Sequence, residues 1–470
     1  MYLRYFTGLF TIVASLLLGG CKKLVTVDPP ITQLVSASVF NGDNTAIAAQ
    51  LAVYAQMQSV PWFINLITGL SSDELRNWST YQTNMDLYAN ALNAETDGGN
   101  LIWQMAYNYI YQENAILENV SASPALSNAV RKQLVGEADF MRAYWYYYLV
   151  SLYGDVPLVT TTSYEVNSVM SRTASAKVCQ QIIQDLSNAE DSLSNMYLDA
   201  TDTVTTIDRV RPTSWAAAAL LARVYLSIGQ YANAESKATS VINNTSLYSL
   251  PAIDSAFFMN SSEAIWQILP PSTYLYTYDG QYLILTSPPT SSSSASPCCT
   301  ISPQLMNTFE TGDLRQTEWI GSYFDGTTTW YFPYKYKDNS INQTSVLREY
   351  TMVLRLGEQI LIRAEARAQQ NNINGAIVDI NTIRARAALA GLANTLSQTQ
   401  VLSAIAHERQ VELFDEGQRW LDLKRTGNVD AVMTVETPQK GGVWQSYQQW
   451  YPLSITDLNN GINLVQNAGY

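Results

Sequence analysis

The chain has 470 residues, of which 47% are hydrophobic and only 14% charged, with a formal net charge of -13. That balance argues against nucleic acid and disfavours any ligand that must be anionic, since both would be repelled. A single histidine leaves almost no room for His-based triads or multi-histidine metal sites, while 30 tyrosines among many Ser, Thr, Asn and Gln suit neutral sugars or peptides.

Arg4 precedes an apolar run from Phe6 to Gly20 that is too short for a comfortable membrane span, so residues 1–20 read as a secretory signal peptide. The run closes Leu18-Gly19-Gly20-Cys21, small residues before a cysteine, which resembles a bacterial lipobox. Cleavage there leaves Cys21 lipidated, and the chain is then anchored to a membrane that it does not span. Residues 21–36 read as an extended tether, stiffened by Asp28-Pro29-Pro30.

An Ala-rich helix is predicted from Asn44 to Gln58, mixed material over 60–100, and two further helices over about 101–120 and 126–153. The aromatic run Tyr144 to Tyr148 covers every face of the third helix and is therefore mainly core. A helix over 173–195 follows. Ala217, Leu221, Ala222 and Tyr225, then Gly229, Tyr231, Ala234 and Ala238, have the spacing of a tetratricopeptide-type helix pair. Glu358 to Ala368 and Gly375 to Arg384 give a second such pair, and the helices near 46 and 138 read as diverged copies. Because a long insertion separates the clear pairs, they are not expected to form one continuous array.

That insertion, 246–350, is punctuated by Pro270-Pro271, Pro288-Pro289 and a serine run, which rules out long helices and leaves many aromatics on predicted loops. Loop aromatics projecting from a helical scaffold form a plausible binding surface. Cys298 and Cys299 within it are read either as a vicinal disulfide or as two thiols.

From Leu402 to Gly427 the scarce charge becomes dense: Glu408, Glu412, Asp415, Arg419 and Asp422 share one helical row. Val411, Phe414 and Leu421 flank it on one side, Leu413 and Trp420 on the other, so the row is predicted to lie inside, paired. Gly417 marks either close packing or the meeting of two helices. A paired-carboxylate catalytic site is the functional alternative; a structural clamp is the favoured reading, and His407 at its head is read as structural.

Several segments together resemble the SusD/RagB family of outer-membrane nutrient-binding lipoproteins. They are the lipobox at Cys21, Tyr153-Gly154-Asp155-Val156-Pro157-Leu158, Leu220 to Tyr225, Phe309 to Arg315, Arg363-Ala364-Glu365-Ala366, Glu408-Arg409 through Arg425, and the tail from Trp450 to Tyr470. The resemblance implies an all-α fold of tetratricopeptide-like helix pairs with an irregular, loop-rich subdomain. It divides the mature chain into a helical region 37–245, a ligand-binding subdomain 246–350 and a helical region 351–470. It further implies a lipid-anchored, surface-exposed outer-membrane protein that captures oligosaccharides and passes them to a TonB-dependent transporter of SusC type, without enzymatic activity, cofactor or metal. Lys22-Lys23 departs from the acidic residues that often follow the lipidated cysteine in exported members.

No motif transfers binding residues. Trp78, Tyr81, Tyr276, Trp319 and Trp330 are the candidates for stacking on a sugar, and Asp73, Arg76 and Asn77 for bonding its hydroxyls. The alternatives are a RagB-like peptide binder and, less favoured, a surface glycoside hydrolase.

Overall fold

The computed structural model describes residues 37–95, 100–271, 275–289, 297–341 and 346–470. The signal peptide, Cys21, the tether and the serine run at 291–296 lie outside them. The principal helices are α1 (Asp43–Gln56), α2 (Val60–Ser71), α3 (Asn100–Ala122), α4 (Asn128–Tyr153), α5 (Ser175–Ser192), α6 (Ser214–Ser227), α7 (Tyr231–Ile242), α8 (Leu356–Gln369), α9 (Ile373–Arg386), α10 (Gln398–Leu413), α11 (Arg419–Arg425) and α12 (Val429–Gln439). The fold is all-α in character. Its strands, β1 (Leu75–Asn77), β2 (Ala264–Ile268), β3 (Cys299–Ile301), β4 (Ile320–Phe324), β5 (Thr329–Pro333) and β6 (Thr351–Arg355), form only two-stranded antiparallel pairs, β1–β3, β2–β6 and β4–β5.

Helix α2 lies where the sequence suggested mixed material. Pro61 sits in its first turn, where a missing N–H costs nothing. Helix α4 is the centre of the array, and its run Tyr144 to Tyr148 is buried on every face, as predicted. Tyr144 meets Trp266 of β2 edge-on at 5.6 Å, and Trp145 stacks on Tyr109 of α3 at 4.6 Å.

Successive helices pack side by side from α3 to α7, and α7 packs directly on α8, which in turn contacts α9 and α10. This corrects the expectation of an interrupted array. Ala222, Leu226, Ala234, Ala238, Ile362 and Ala366 meet at the α7–α8 junction, and Arg367 reaches Glu235 across it at 2.9 Å. Small side chains let the helices approach, so the insertion leaves the array after α7 and returns to it at β6 without opening a gap.

The charged row is split. Between α10 and α11 the backbone turns at Asp415 (φ 57°) and Gly417 (φ 73°). Two helices meet there, and a Cβ on Gly417 would also stand 3.1 Å from Ile64 of α2, so both readings of this glycine hold. The row is internal, and Glu408, Glu412, Arg419 and Asp422 are paired, but Asp415 is buried with no cation paired to it among the described residues, and burial pushes its carboxyl well up. Arg355 donates to Glu412 at 2.7 Å, Glu263 at 2.6 Å and Glu416 at 2.7 Å. Arg315 reaches Glu408 at 2.8 Å, Glu412 at 3.2 Å and Asp313 at 2.7 Å. Arg384 pairs with Glu408 at 2.5 Å, and Arg386 bridges Glu263 and Glu412. Burial works against a charged Glu412, yet Arg386, Arg355 and Arg315 together hold its carboxyl well below the usual range.

Removing one member of such a cluster leaves the others buried and unpaired. Glu412→Ala should therefore lower unfolding free energy by about 3–5 kcal/mol, read from the midpoint of urea denaturation.

Candidate ligand-binding site

Strand β1 begins directly after Asp73 and Glu74 and pairs with β3, setting Arg76 opposite Thr300 and Asn77 opposite Cys299. The next residue, Trp78, is locked to β3 twice. Its backbone N–H donates to the Cys298 carbonyl at 2.8 Å, and its indole Nε1–H donates to Thr300 Oγ1 at 3.0 Å. Hairpin β4–β5 packs against β3 and brings Trp330 to Trp78, ring centroids 4.8 Å apart and planes at 87°. The indole Nε1–H of Trp330 donates to Asp325 in the hairpin turn at 2.8 Å. The Thr328 and Thr327 amides also donate to that carboxylate, and together these bonds hold its pKa well below the ordinary range. Beneath the hairpin, a Cβ at Gly321 would lie 2.3 Å from the Phe332 ring, so only glycine lets that ring seat under β4.

The two indoles form one corner of an open cleft of about 390 Å³, completed by Tyr331, Ser302, Asn307 and Thr329. Arg76 lies over the Trp78 ring, its guanidinium 4.5 Å from the centroid. A second cavity of about 340 Å³ lies between α1 and the 198–211 loop; Leu51, Leu198, Ile268 and Leu269 line it together with Gln58, Asp199, Thr206, Asp208 and Arg211, and Tyr54 is its one ring among the described residues. The first cleft combines flat rings with hydroxyl and amide groups, the pattern that suits a sugar's apolar face and its hydroxyl rim.

Of the eight candidate binding residues, the structure gathers Arg76, Trp78 and Trp330 in this cleft. Tyr81 is exposed but is not among the cleft-lining residues. Asn77 closes a local turn, its Oδ1 accepting from the Ser79 N–H at 2.9 Å. Three candidates are corrected. Trp319 is 1% exposed and donates to the Ile253 carbonyl at 2.9 Å, so it is a core ring. Tyr276 is buried too. Asp73 accepts from Arg419 Nε and Nη2, both at 2.8 Å, and thus anchors β1 to α11. Tyr331, Ser302 and Asn307 were missed. Strand alternation would set Tyr331 opposite its neighbour Trp330, so no local signal marks Tyr331, and none marks the other two.

Cys298 and Cys299 are thiols, their sulfurs 3.7 Å apart. His407 stands 3.5 Å from Glu310, beside Glu408. A cation among those three would face Arg384 and Arg315, which already hold Glu408. Among the described residues, no helix is long and apolar enough to cross a membrane.

An unbroken array of helix pairs that holds an aromatic cleft on short strands defines a helical-repeat scaffold carrying a candidate binding cleft. Family descriptions match both halves of the chain: "Starch-binding associating with outer membrane" over residues 33–226, and the SusD family over residues 223–470. The second match spans more than half of the chain, which therefore belongs to the SusD family. The SusD-like protein P2 of Formosa agariphila is 24% identical over 465 residues, covering 88% of this chain and 89% of that protein. The starch-binding protein SusD of Bacteroides thetaiotaomicron is 33% identical over 123 residues, 25% of this chain and 21% of that protein. Among solved structures, a SusD-like protein from Bacteroides fragilis superposes with a TM-score of 0.78 at 19% identity, covering 93% of this chain and 98% of that one. A laminarin-binding SusD-like protein superposes with a TM-score of 0.75 at 23% identity, covering 91% and 100%. At these identities the structural likeness shows the fold.

The carboxyl beneath β1 has a measurable consequence. Burial, then the neighbouring Asp73 charge, pushes Glu74 from 4.5 up to about 8; burial likewise lifts Asp279 to about 7. Folded chains thus hold protons that unfolded chains release, so stability falls as pH rises from 4.5 to about 8. Glu74→Gln should raise Tm at pH 8 and leave it nearly unchanged at pH 5, as read by calorimetry at the two pH values.

Proposed function

We propose that this SusD-family protein is a cell-surface lipoprotein that captures oligosaccharides and delivers them to a TonB-dependent outer-membrane transporter of SusC type. Family membership supports the transporter partnership, and the lipobox at Cys21 supports the anchor. Glycan capture rests on one observation, the perpendicular Trp78–Trp330 corner with hydroxyl and amide groups around it. In this reading the subdomain 246–350 supplies most of the site, with β1 and Trp78 contributed by the helical region 37–245. The relatives named for starch and laminarin point to the same ligand class.

Binding proceeds without cleavage in this reading. A retaining or inverting glycosidase needs two carboxylates facing the scissile bond, about 5–10 Å apart. No Asp or Glu is among the described residues that line the cleft. The carboxylate at its rim, Asp325, is taken up by Trp330, Thr327 and Thr328.

The test is a titration of the purified protein against a glycan panel, followed by chromatography of the incubated sugars. A glycan that binds should be recovered intact, and Trp78→Ala and Trp330→Ala should each weaken it by about 1–3 kcal/mol. Shortened products, or affinity indifferent to both substitutions, would defeat the proposal.

A further inference from the structure

Among the described residues, one charged side chain lines the Trp78–Trp330 cleft, and it is a cation with no carboxylate partner. Arg76 is exposed, and its only described contact of its charged end is the Trp78 ring. It is alone in this among the described arginines. The others pair with carboxylates, as Arg315, Arg355, Arg419 and Arg425 do, or donate to backbone carbonyls, as Arg131, Arg172 and Arg209 do. In a chain with 40 acidic residues to 27 basic ones, a guanidinium with neither a carboxylate nor a carbonyl acceptor among the described residues stands out.

On this basis we infer that the cleft selects glycans bearing an anionic group, a carboxylate or a sulfate ester, and that Arg76 is the residue that reads it. The inference rests on the glycan-binding reading above and narrows its ligand class. The Trp78 face orients the planar fork, so little side-chain freedom remains to be lost when two parallel N–H donors meet two oxygens of an anion. Among the described residues no carboxylate lines the cleft to compete for Arg76, and Asp325 at the rim, which stays ionised, has its oxygens taken up by indole and turn donors. The acidity of the whole chain disfavours anions only at long range. At physiological ionic strength its field decays over about 8 Å, whereas Arg76 acts at contact. A local cation in an acidic protein also sharpens selection, because an anionic sugar that is not seated on Arg76 meets net repulsion elsewhere.

The experiment compares matched glycan pairs by calorimetric titration of the full protein. Oligogalacturonides are set against their carboxyl-reduced counterparts, sulfated carrageenan oligosaccharides against their desulfated forms, and laminarin and maltooligosaccharides serve as neutral controls. At least one acidic member should bind about ten- to a hundredfold more tightly than its neutral counterpart. R76Q should erase that difference, and R76K should restore part of it. The arm that shows the preference identifies carboxylate or sulfate as the group read. Neutral controls binding as well as, or better than, every acidic glycan would overturn the inference and leave the glycan-binding reading intact. A preference that persists in R76Q would overturn the role of Arg76. Failure of every glycan, neutral or acidic, to bind would instead remove the glycan-binding reading and this inference with it.

Discussion

The rest of the structure depends on the buried ion cluster in which Arg315, Arg355, Arg384 and Arg386 surround Glu263, Glu408, Glu412 and Glu416. Its members come from the residue before β2, from the short helix Leu314–Trp319 that precedes β4, from β6, from α9 and from the α10–α11 segment. Each charge is costly to bury alone and is stable only when all of its partners arrive together. The cluster thus acts as a register mark. It forms in one arrangement of insertion and array, and misplacing either would strand charges in the core.

The cleft inherits its rigidity from that arrangement. Asp73, two residues before β1, is gripped by Arg419 of α11. On the other side, Arg315 lies just before β4 and Lys335 just after β5, and the latter reaches Glu416 at 2.5 Å and the Glu412 carbonyl at 3.0 Å. Both walls of the cleft are therefore pinned to the same charged segment, although they are far apart in the chain. A ligand meeting rings already held in place loses less free energy to ordering them, so modest contacts suffice for capture. The same logic explains why the dense charge at 408–422 is not itself the site: Glu408, Glu412, Glu416 and Asp422 are occupied by arginines that hold the scaffold together.

Legibility from the sequence varied with the range of the interaction. Periodicity placed most long helices within a few residues, because amphipathic spacing and Ala content act locally. Helix α2 was missed because 60–100 reads as mixed material, whereas in the fold Pro61 sits in the first turn of a helix and interrupts nothing. The array was read as interrupted because linear separation says nothing about whether α7 and α8 meet. Among the candidate binding residues, Trp319 and Trp330 are only eleven positions apart and chemically identical. One is a core ring beneath Lys335 and the other faces the cleft. Which side of a short hairpin becomes outer depends on what packs beneath it, and that is set by Phe332 under Gly321 and by the ion cluster.

What the sequence by itself determined is the helical scaffold, the family, and the need for the charged row to be buried and paired, since each follows from residue order over one or two dozen positions. Only the tertiary structure decided which rings face outward, which carboxylates serve as anchors, and that Arg76 lies on the Trp78 ring with no carboxylate partner among the described residues. Those outcomes are set by contacts between segments brought together across hundreds of residues, and no local pattern records them.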